Sequence, residues 1–326
     1  MKFIEKSEFE FIEKLRRRYK LSKIGDDCAV LPKDSKTDLV ITTDLLVEDV
    51  DFRLDWTTPE FIGHKALAVS LSDVAAMGAI PVWAMLSVGV SASVWKTDFV
   101  EKFYEGWFAL AEKYNVELVG GDVSKTPGKI VIDSIVAGEV KKGKAVLRSG
   151  AKVGDLIFLT GEIGGAAAGL SLLEKGEKYN KSKYNKLLLR QLKPNPQTEI
   201  GEILGVKNTA TSMIDLSDGL AADLSHICRE SEIGAKIFRD KIPDQFDLEE
   251  LYSIFNSSEM ISFLLHSGED FELLFTVDPK KKPQIEKHLK SHKFSHIGEV
   301  TANAGIIELV YKNRIEILDS KGFQHF

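Results

Sequence analysis

The apolar positions of this chain follow two rhythms. In "DDCAVL", "DLVITTD", "PVWAMLSVGV", "VELVGGDVS" and "KIVIDSIVAGEV" they alternate or run on without a break, the pattern of strands. In "TPEFIGHKALAVSLSDVAAMGA" and "DFVEKFYEGWFALAEKYN" they return at helical spacing. Thr58 and Pro59 mark the start of the first of these helices, and Gly78 lies near its end. The second places Phe99, Phe103, Trp107, Leu110 and Ala111 on one face and stops at Asn115. The N-terminal "MKFIEKSEFEFIEKLRRRYK" mixes charges among its apolar residues, which predicts an amphipathic helix and not a signal peptide.

Strands and helices mix here without regular βαβ spacing, so the fold class is α+β. A chain of 326 residues can bury two domain-sized cores. The composition shifts at the basic, glycine-containing "KKGKAVLRSGAKVGD", which divides the chain into residues 1–140 and 141–326. The second half opens with the strand "DLIFLTG", passes a Gly/Ala-rich turn and helix, and crosses a polar loop over residues 174–186. It closes with a pair of strands near residues 294–318.

Composition narrows the function. With 44% hydrophobic and 28% charged residues the chain reads as a soluble globular protein. Its most apolar window, residues 79–94, is broken by Pro81, Gly89 and serines and is too short to span a bilayer. Cys28 and Cys228 have no CxxC partner, which predicts a reducing, cytoplasmic setting, with no disulfide and no structural zinc. A net charge of −6 with scattered Lys and Arg speaks against nucleic acid as a partner, and the interrupted apolar window against a membrane. An acidic protein that handles an anionic ligand needs metal ions or focused basic groups at its site.

The candidate chemistry lies in the carboxylates. "VITTDLLVEDVDF" runs apolar and then sets Thr42, Thr43 and Asp44 side by side, as if a buried strand ended in oxygen ligands for a hard cation. Four further segments have the same form, each delivering an Asp into a turn or helix start: "IGDDCAV" (Asp26, Asp27), "VSLSDVAAMGA" (Asp73), "ELVGGDVSK" (Asp122) and "MIDLSDGLAADL" (Asp215, Ser217, Asp218). Singly these are helix caps and turns. Together, several with flanking glycines, they point to a multinuclear Mg²⁺ site, since Mg²⁺ is held by a few carboxylates along with substrate phosphates. "TGEIGGAAAGL" lacks the lysine of a P-loop and reads as a tight strand-to-helix turn. Arg148 is then the best protein counter-charge for nucleotide phosphates. His64, His226 and His266 read as satisfied structural groups, the tryptophans Trp83, Trp95 and Trp107 as core or interface aromatics, and Arg16 to Arg18 as a solvated helix face.

Seven motifs in one order carry a family resemblance: "IGDDCAV", "TTDLLVEDVDF", "ALAVSLSDVAAMGA", "LVGGDVSK", "LRSGAKVGDLIFLTG", "IDLSDGLAADL" and "SGEDFELLF". The chain resembles the thiamine-monophosphate kinase family, within the superfamily of aminoimidazole ribonucleotide synthetase, selenophosphate synthetase and the hydrogenase-maturation dehydratase. The resemblance implies a two-domain PurM-like fold, with an N-terminal α+β domain forming a dimeric β-barrel in a homodimer and a C-terminal α/β domain. It implies direct transfer of the ATP γ-phosphate to thiamine monophosphate. By position it assigns metal contacts to Asp27, Thr42, Thr43, Asp44, Asp73, Asp122, Asp215 and Asp218. Nucleotide contacts fall on Tyr104, Gly121, Asp122, Arg148 and Ser217, and substrate contacts on Asp51, Glu269 and Phe323. Asp51 stands where many members of the family carry His. The rivals are a selenophosphate synthetase-like enzyme, whose reactive Cys does not match Cys28 in its strand, and a non-catalytic Mg-nucleotide sensor.

Overall fold

The computed structural model describes residues 8–244, 251, 253–312 and 314–323. The end of "KGFQHF" beyond Phe323 and residues 1–7, the start of the segment expected to form an N-terminal helix, lie outside the described residues.

The N-terminal half builds one sheet and two long helices. After helix α1 (Glu8–Tyr19) come β1 (Ala29–Pro32), β2 (Thr37–Val47), helix α2 (Pro59–Ala76), β3 (Ile80–Val90), helix α3 (Phe99–Tyr114), β4 (Glu117–Lys125) and β5 (Val131–Lys141). The sheet order is β1-β2-β5-β3-β4, with β3 and β4 parallel and the other pairs antiparallel. The sheet is open, with β1 and β4 at its edges.

The C-terminal half carries β6 (Leu156–Thr160), α4 (Gly165–Glu174), α5 (Asn185–Leu192), α6 (Thr198–Val206), β7 (Ser212–Asp215), α7 (Leu220–Ser231) and β8 (Gly234–Phe238). Then follow α8 (Ser257–Leu265), β9 (Leu273–Val277), α9 (Lys282–His288), β10 (Phe294–Thr301), β11 (Ile307–Tyr311) and β12 (Arg314–Ile317). Its sheet runs β12-β11-β8-β10-β6-β9-β7. The expected closing pair of strands is thus three strands, because the chain turns once more after Tyr311 to pair β12 on β11.

Helix α2 organises the molecule. Thr58 caps it in extended conformation and Pro59 occupies its first turn, as the sequence reading expects. Fourteen of its residues are buried, from Ile62 to Ala76 with only Asp73 excepted, so it is apolar nearly all round, as a helix enclosed on every side must be. One side packs on α3 through Phe103 and Trp107, both fully buried. At its C-terminal end Ala75 and Ala76 join Phe158, Met213 and Phe275 of the second half in a separate cluster. The two halves therefore meet along one buried helix. On α3 all five residues of the expected face are buried, and Asn115 adopts φ 54, the left-handed stop. Trp107 is core, whereas Trp95 is 58% exposed. Both cysteines are buried and free.

Candidate active site

Three carboxylates from three parts of the chain come together. Asp27 precedes β1, Asp73 lies in the last turns of α2 and Asp215 ends β7, and each offers an oxygen within 4.8 Å of the others. Neighbouring hydroxyls orient them. Thr42 of β2 donates to Asp73, and Ser72 of α2 donates to Asp215 at 2.6 Å, across the two halves. Ser70, also on α2, donates to Asp44 at 2.6 Å. Asp27 accepts from Arg148 Nε at 3.1 Å, and Asp26 accepts from the Arg148 backbone N–H at 2.8 Å. The other oxygen of Asp27 is buried with no protein hydrogen-bond partner.

Burial together with mutual repulsion shifts the protonation of these groups upward. Asp44 is raised to about 6 by burial, with Asp133, Asp27 and Asp51 adding repulsion. Asp215 is raised to about 8 by burial and by Asp27. Asp73 is raised well above the usual carboxylate range by burial and then by Asp44, Asp215 and Asp27. Carboxylates packed this closely without enough cationic partners are the arrangement a divalent cation relieves. An unsatisfied buried oxygen on Asp27 fits the same donor set: hard oxygen ligands, as Mg²⁺ requires.

The structure modifies how the sequence reading placed these residues. Thr42, Thr43 and Asp44 are not at a strand end; they lie inside the eleven-residue β2. Asp73 is near the C-terminal end of α2 and not at a helix start, and Asp122 sits within β4 and not in a turn. Strand periodicity then separates the group. Thr42 and Asp44 face α2, as their bonds to Asp73 and Ser70 require. Thr43 is exposed and donates to Asp133 at 2.6 Å on the opposite face. Asp122 belongs to that outer face too, since it pairs with Ser87, which pairs with Asp133. Gly121 has φ 154, and a Cβ there would lie 1.9 Å from the Leu86 carbonyl oxygen, so only glycine lets β4 pair so closely with β3. Tyr104 sits on α3, edge-on to Phe103, and is neither in the carboxylate cluster nor among the cavity-lining residues.

A cavity of about 540 Å³ adjoins the cluster, with Asp44 in its wall. Ser217, Asp218, Glu269 and Phe323 line it, as does Asp51. Its apolar wall includes Trp56, Phe61 and Phe263. Two loops of the second half meet tightly here: Glu269 donates its N–H to Ser217 O at 2.9 Å, and a Cβ on Gly268 would lie 1.8 Å from that same oxygen. Phe323 is tied in by its N–H to Asp218 O at 3.2 Å. Asp51 Oδ2 accepts the Val47 N–H at 2.7 Å, so this carboxylate closes its own turn. Glu48 and Asp49 pair with Lys129, away from the cluster.

At the Gly/Ala-rich turn two of the backbone donors are engaged within the chain. Asp270 accepts the Gly164 N–H at 2.6 Å and the Ala166 N–H at 3.1 Å, occupying the donors at the start of α4. Asp218, Asp223 and His226 form a second close group around the start of α7. Asp223 accepts the Gly219 N–H at 2.9 Å, and burial followed by the repulsion of Asp218 and Asp215 raises it well above its usual range. The sequence reading missed Lys65, Ser70, Ser72, Trp56 and Gln191. A lysine and two serines inside an otherwise apolar helix were the available signal.

Residues 25–140 match the family described as AIR synthase related protein, N-terminal domain, and residues 152–310 match its C-terminal domain. The fold and site thus define a two-domain protein of the AIR synthase related class. Among curated relatives, the thiamine-monophosphate kinase of Bacillus subtilis (strain 168) is 37% identical over 310 residues, 93% of each chain. That of Buchnera aphidicola subsp. Schizaphis graminum is 38% identical over 334 residues, covering 99% of this chain and 100% of the relative. The solved structure described as "AaThiL complexed with AMPPCP and TMP" superposes with a TM-score of 0.87 at 31% identity, covering 100% of this chain and 99% of that one. The chain belongs to the thiamine-monophosphate kinase family.

Proposed function

We propose that this protein transfers the γ-phosphate of ATP directly to the phosphate of thiamine monophosphate, giving thiamine diphosphate and ADP. The observation that carries this reading is the adjacency of the buried Asp27, Asp73 and Asp215 cluster and an aromatic, carboxylate-lined cavity, with Asp44 in the cavity wall and near enough to repel Asp73 and Asp215. In the transfer, the bond from the γ-phosphorus to its bridging oxygen breaks as a bond to an oxygen of the acceptor phosphate forms. The acceptor is already largely ionised near neutral pH, so the task is bringing two polyanions into line, and no strong general base is required.

Asp27, Asp44, Asp73 and Asp215 are the residues that would hold Mg²⁺, with Thr42 beside them and Asp218 in the second acidic group at the start of α7; Thr43 and Asp122 offer oxygens on the other side of the sheet. When bound, Mg²⁺ supplies charge neutralisation to the phosphate oxygens. The hydroxyls of Thr42, Ser70 and Ser72 orient the carboxylates before ligands arrive. Gly121, Asp122, Arg148 and Ser217 are assigned to the nucleotide, together with Tyr104. Glu269 and Phe323 are assigned to thiamine monophosphate. Asp51 contributes to the cavity wall through its turn, with its side chain committed to Val47.

The working unit in this reading is a homodimer in which the N-terminal sheets of two chains close a barrel. The open edge at β4 and the exposed Leu45, Met85, Val119 and Val123 support it. Residues 1–140 form the dimerising, ATP- and Mg²⁺-binding unit and residues 141–326 the second domain. The setting is cytoplasmic; among the described residues no helix is long and apolar enough to cross a membrane. Incubation with ATP, Mg²⁺ and thiamine monophosphate, with chromatographic detection of thiamine diphosphate, tests the proposal. Nucleotide binding without product would identify a sensor instead.

A further inference from the structure

Lys65 is on α2, and its side chain is 5% exposed. An ammonium group so far from water must find partners, and this one has two from different halves of the chain. Its Nζ lies 2.6 Å from Glu269 Oε1 and donates to the Asp51 carbonyl oxygen at 3.0 Å. Glu269 is further fixed by the side-chain amide of Gln191 on α5, which donates to Oε2. Its backbone is held at φ 65, a left-handed conformation uncommon outside glycine. Asp51, Lys65, Gln191 and Glu269 all line the cavity.

We propose that Lys65 is a positioning residue for thiamine monophosphate: it neutralises and aims the Glu269 carboxylate while tying it to the Asp51 turn, both of which line the cavity. This rests on the reading that Glu269 contacts the substrate. An ionised carboxylate has about four acceptor sites, so Lys65 and Gln191 leave capacity for donors from a ligand. Because its charge is already matched by Lys65, Glu269 serves as an acceptor for a neutral N–H group, the amino substituent of the pyrimidine, and not as a counter-ion for the thiazolium. Lys65 thereby makes Glu269 a specificity determinant.

The test is steady-state kinetics of the full chain with ATP and Mg²⁺, comparing Lys65→Met, Glu269→Gln and the double variant. Each single change is expected to raise KM for thiamine monophosphate at least tenfold while KM for ATP stays within about twofold. The double variant should be no worse than the worse single one, because Lys65 acts through Glu269. Selectivity for thiamine monophosphate over its analogue with an oxo group in place of the amino group should fall at least tenfold in Lys65→Met, which a merely structural role would not produce. Multiplying effects in the double variant, or unchanged selectivity, overturns the inference. If Glu269→Gln leaves KM unchanged, the reading of Glu269 as a substrate contact fails; if only Lys65→Met leaves it unchanged, that reading stands and the inference alone falls. Should Lys65→Met not fold, Lys65→Arg keeps the charge but replaces a compact ammonium with a planar fork. It should raise KM for thiamine monophosphate severalfold at wild-type Tm, and an unchanged KM would overturn the inference.

Discussion

Removing divalent cations should make the stability of this protein fall as pH rises, the reverse of ordinary acid denaturation. Asp215 is raised from 3.8 to about 8, first by burial and then by Asp27, so near neutrality the folded chain holds a proton that the unfolded chain has lost. Stability therefore declines as pH climbs toward the folded value. Buried histidines act in the other direction at lower pH: burial lowers His64 to about 4 and His226 to about 3, so protons below 6.5 favour the unfolded chain. The informative window is thus pH 7 to 8.5. Integrating the linkage relation over it gives a loss on the order of 1 kcal/mol from Asp215, offset only in small part by the two histidines. Asp73, raised chiefly by burial and then by Asp44, adds to the loss with the same sign. At about 1.5 °C per kcal/mol for a chain of this length, Tm in EDTA should drop by about 1 to 2 °C. Saturating Mg²⁺ holds the carboxylates ionised, so it should raise Tm more at pH 8.5 than at pH 7, and Asp215→Asn should weaken the slope. Thermal unfolding by calorimetry at both pH values, with and without Mg²⁺, measures this. A Tm in EDTA that is flat or rises between pH 7 and 8.5, or a slope untouched by Asp215→Asn, would refute the reasoning.

Asp73→Asn should lower kcat by at least about a hundredfold at saturating Mg²⁺, while Tm in EDTA at pH 8 stays at or above wild type because one buried charge has gone; steady-state kinetics and calorimetry read the two effects separately. Asp270→Ala strips the start of α4 of its acceptor and removes a partner of Arg190, which also pairs with Glu272 at 3.1 Å, and should cost about 3 to 5 kcal/mol in urea unfolding. Gly121→Ala forces a methyl group into the Leu86 carbonyl and should open the β3–β4 pairing. Nucleotide affinity, followed by calorimetric titration with a non-hydrolysable ATP analogue, should fall at least tenfold.

The local architecture was legible because it depends on near neighbours in sequence. The buried face of α3, its stop at Asn115, and the Thr58–Pro59 start of α2 all follow from helical spacing and capping, which act over a few residues. The tight turn before α4 was legible for a similar reason, from its run of small residues. The carboxylates were visible as candidates through their recurrence after apolar runs, although Asp44 and Asp122 lie inside strands and Asp73 inside α2 and not at element ends. Their convergence was not. Alternation along β2 sends Thr42 and Asp44 toward α2 and Thr43 away from it, and a strand's period is visible in sequence while the side that becomes buried is not. That Ser72 would hold Asp215, or that Lys65 would meet Glu269, depends on which faces the two halves bury against α2. Sequence alone determined the principal helices and strands of the first half, the candidate oxygens and the family; the tertiary structure decided which oxygens share a low-dielectric space, because burial is set by faces brought together from distant parts of the chain.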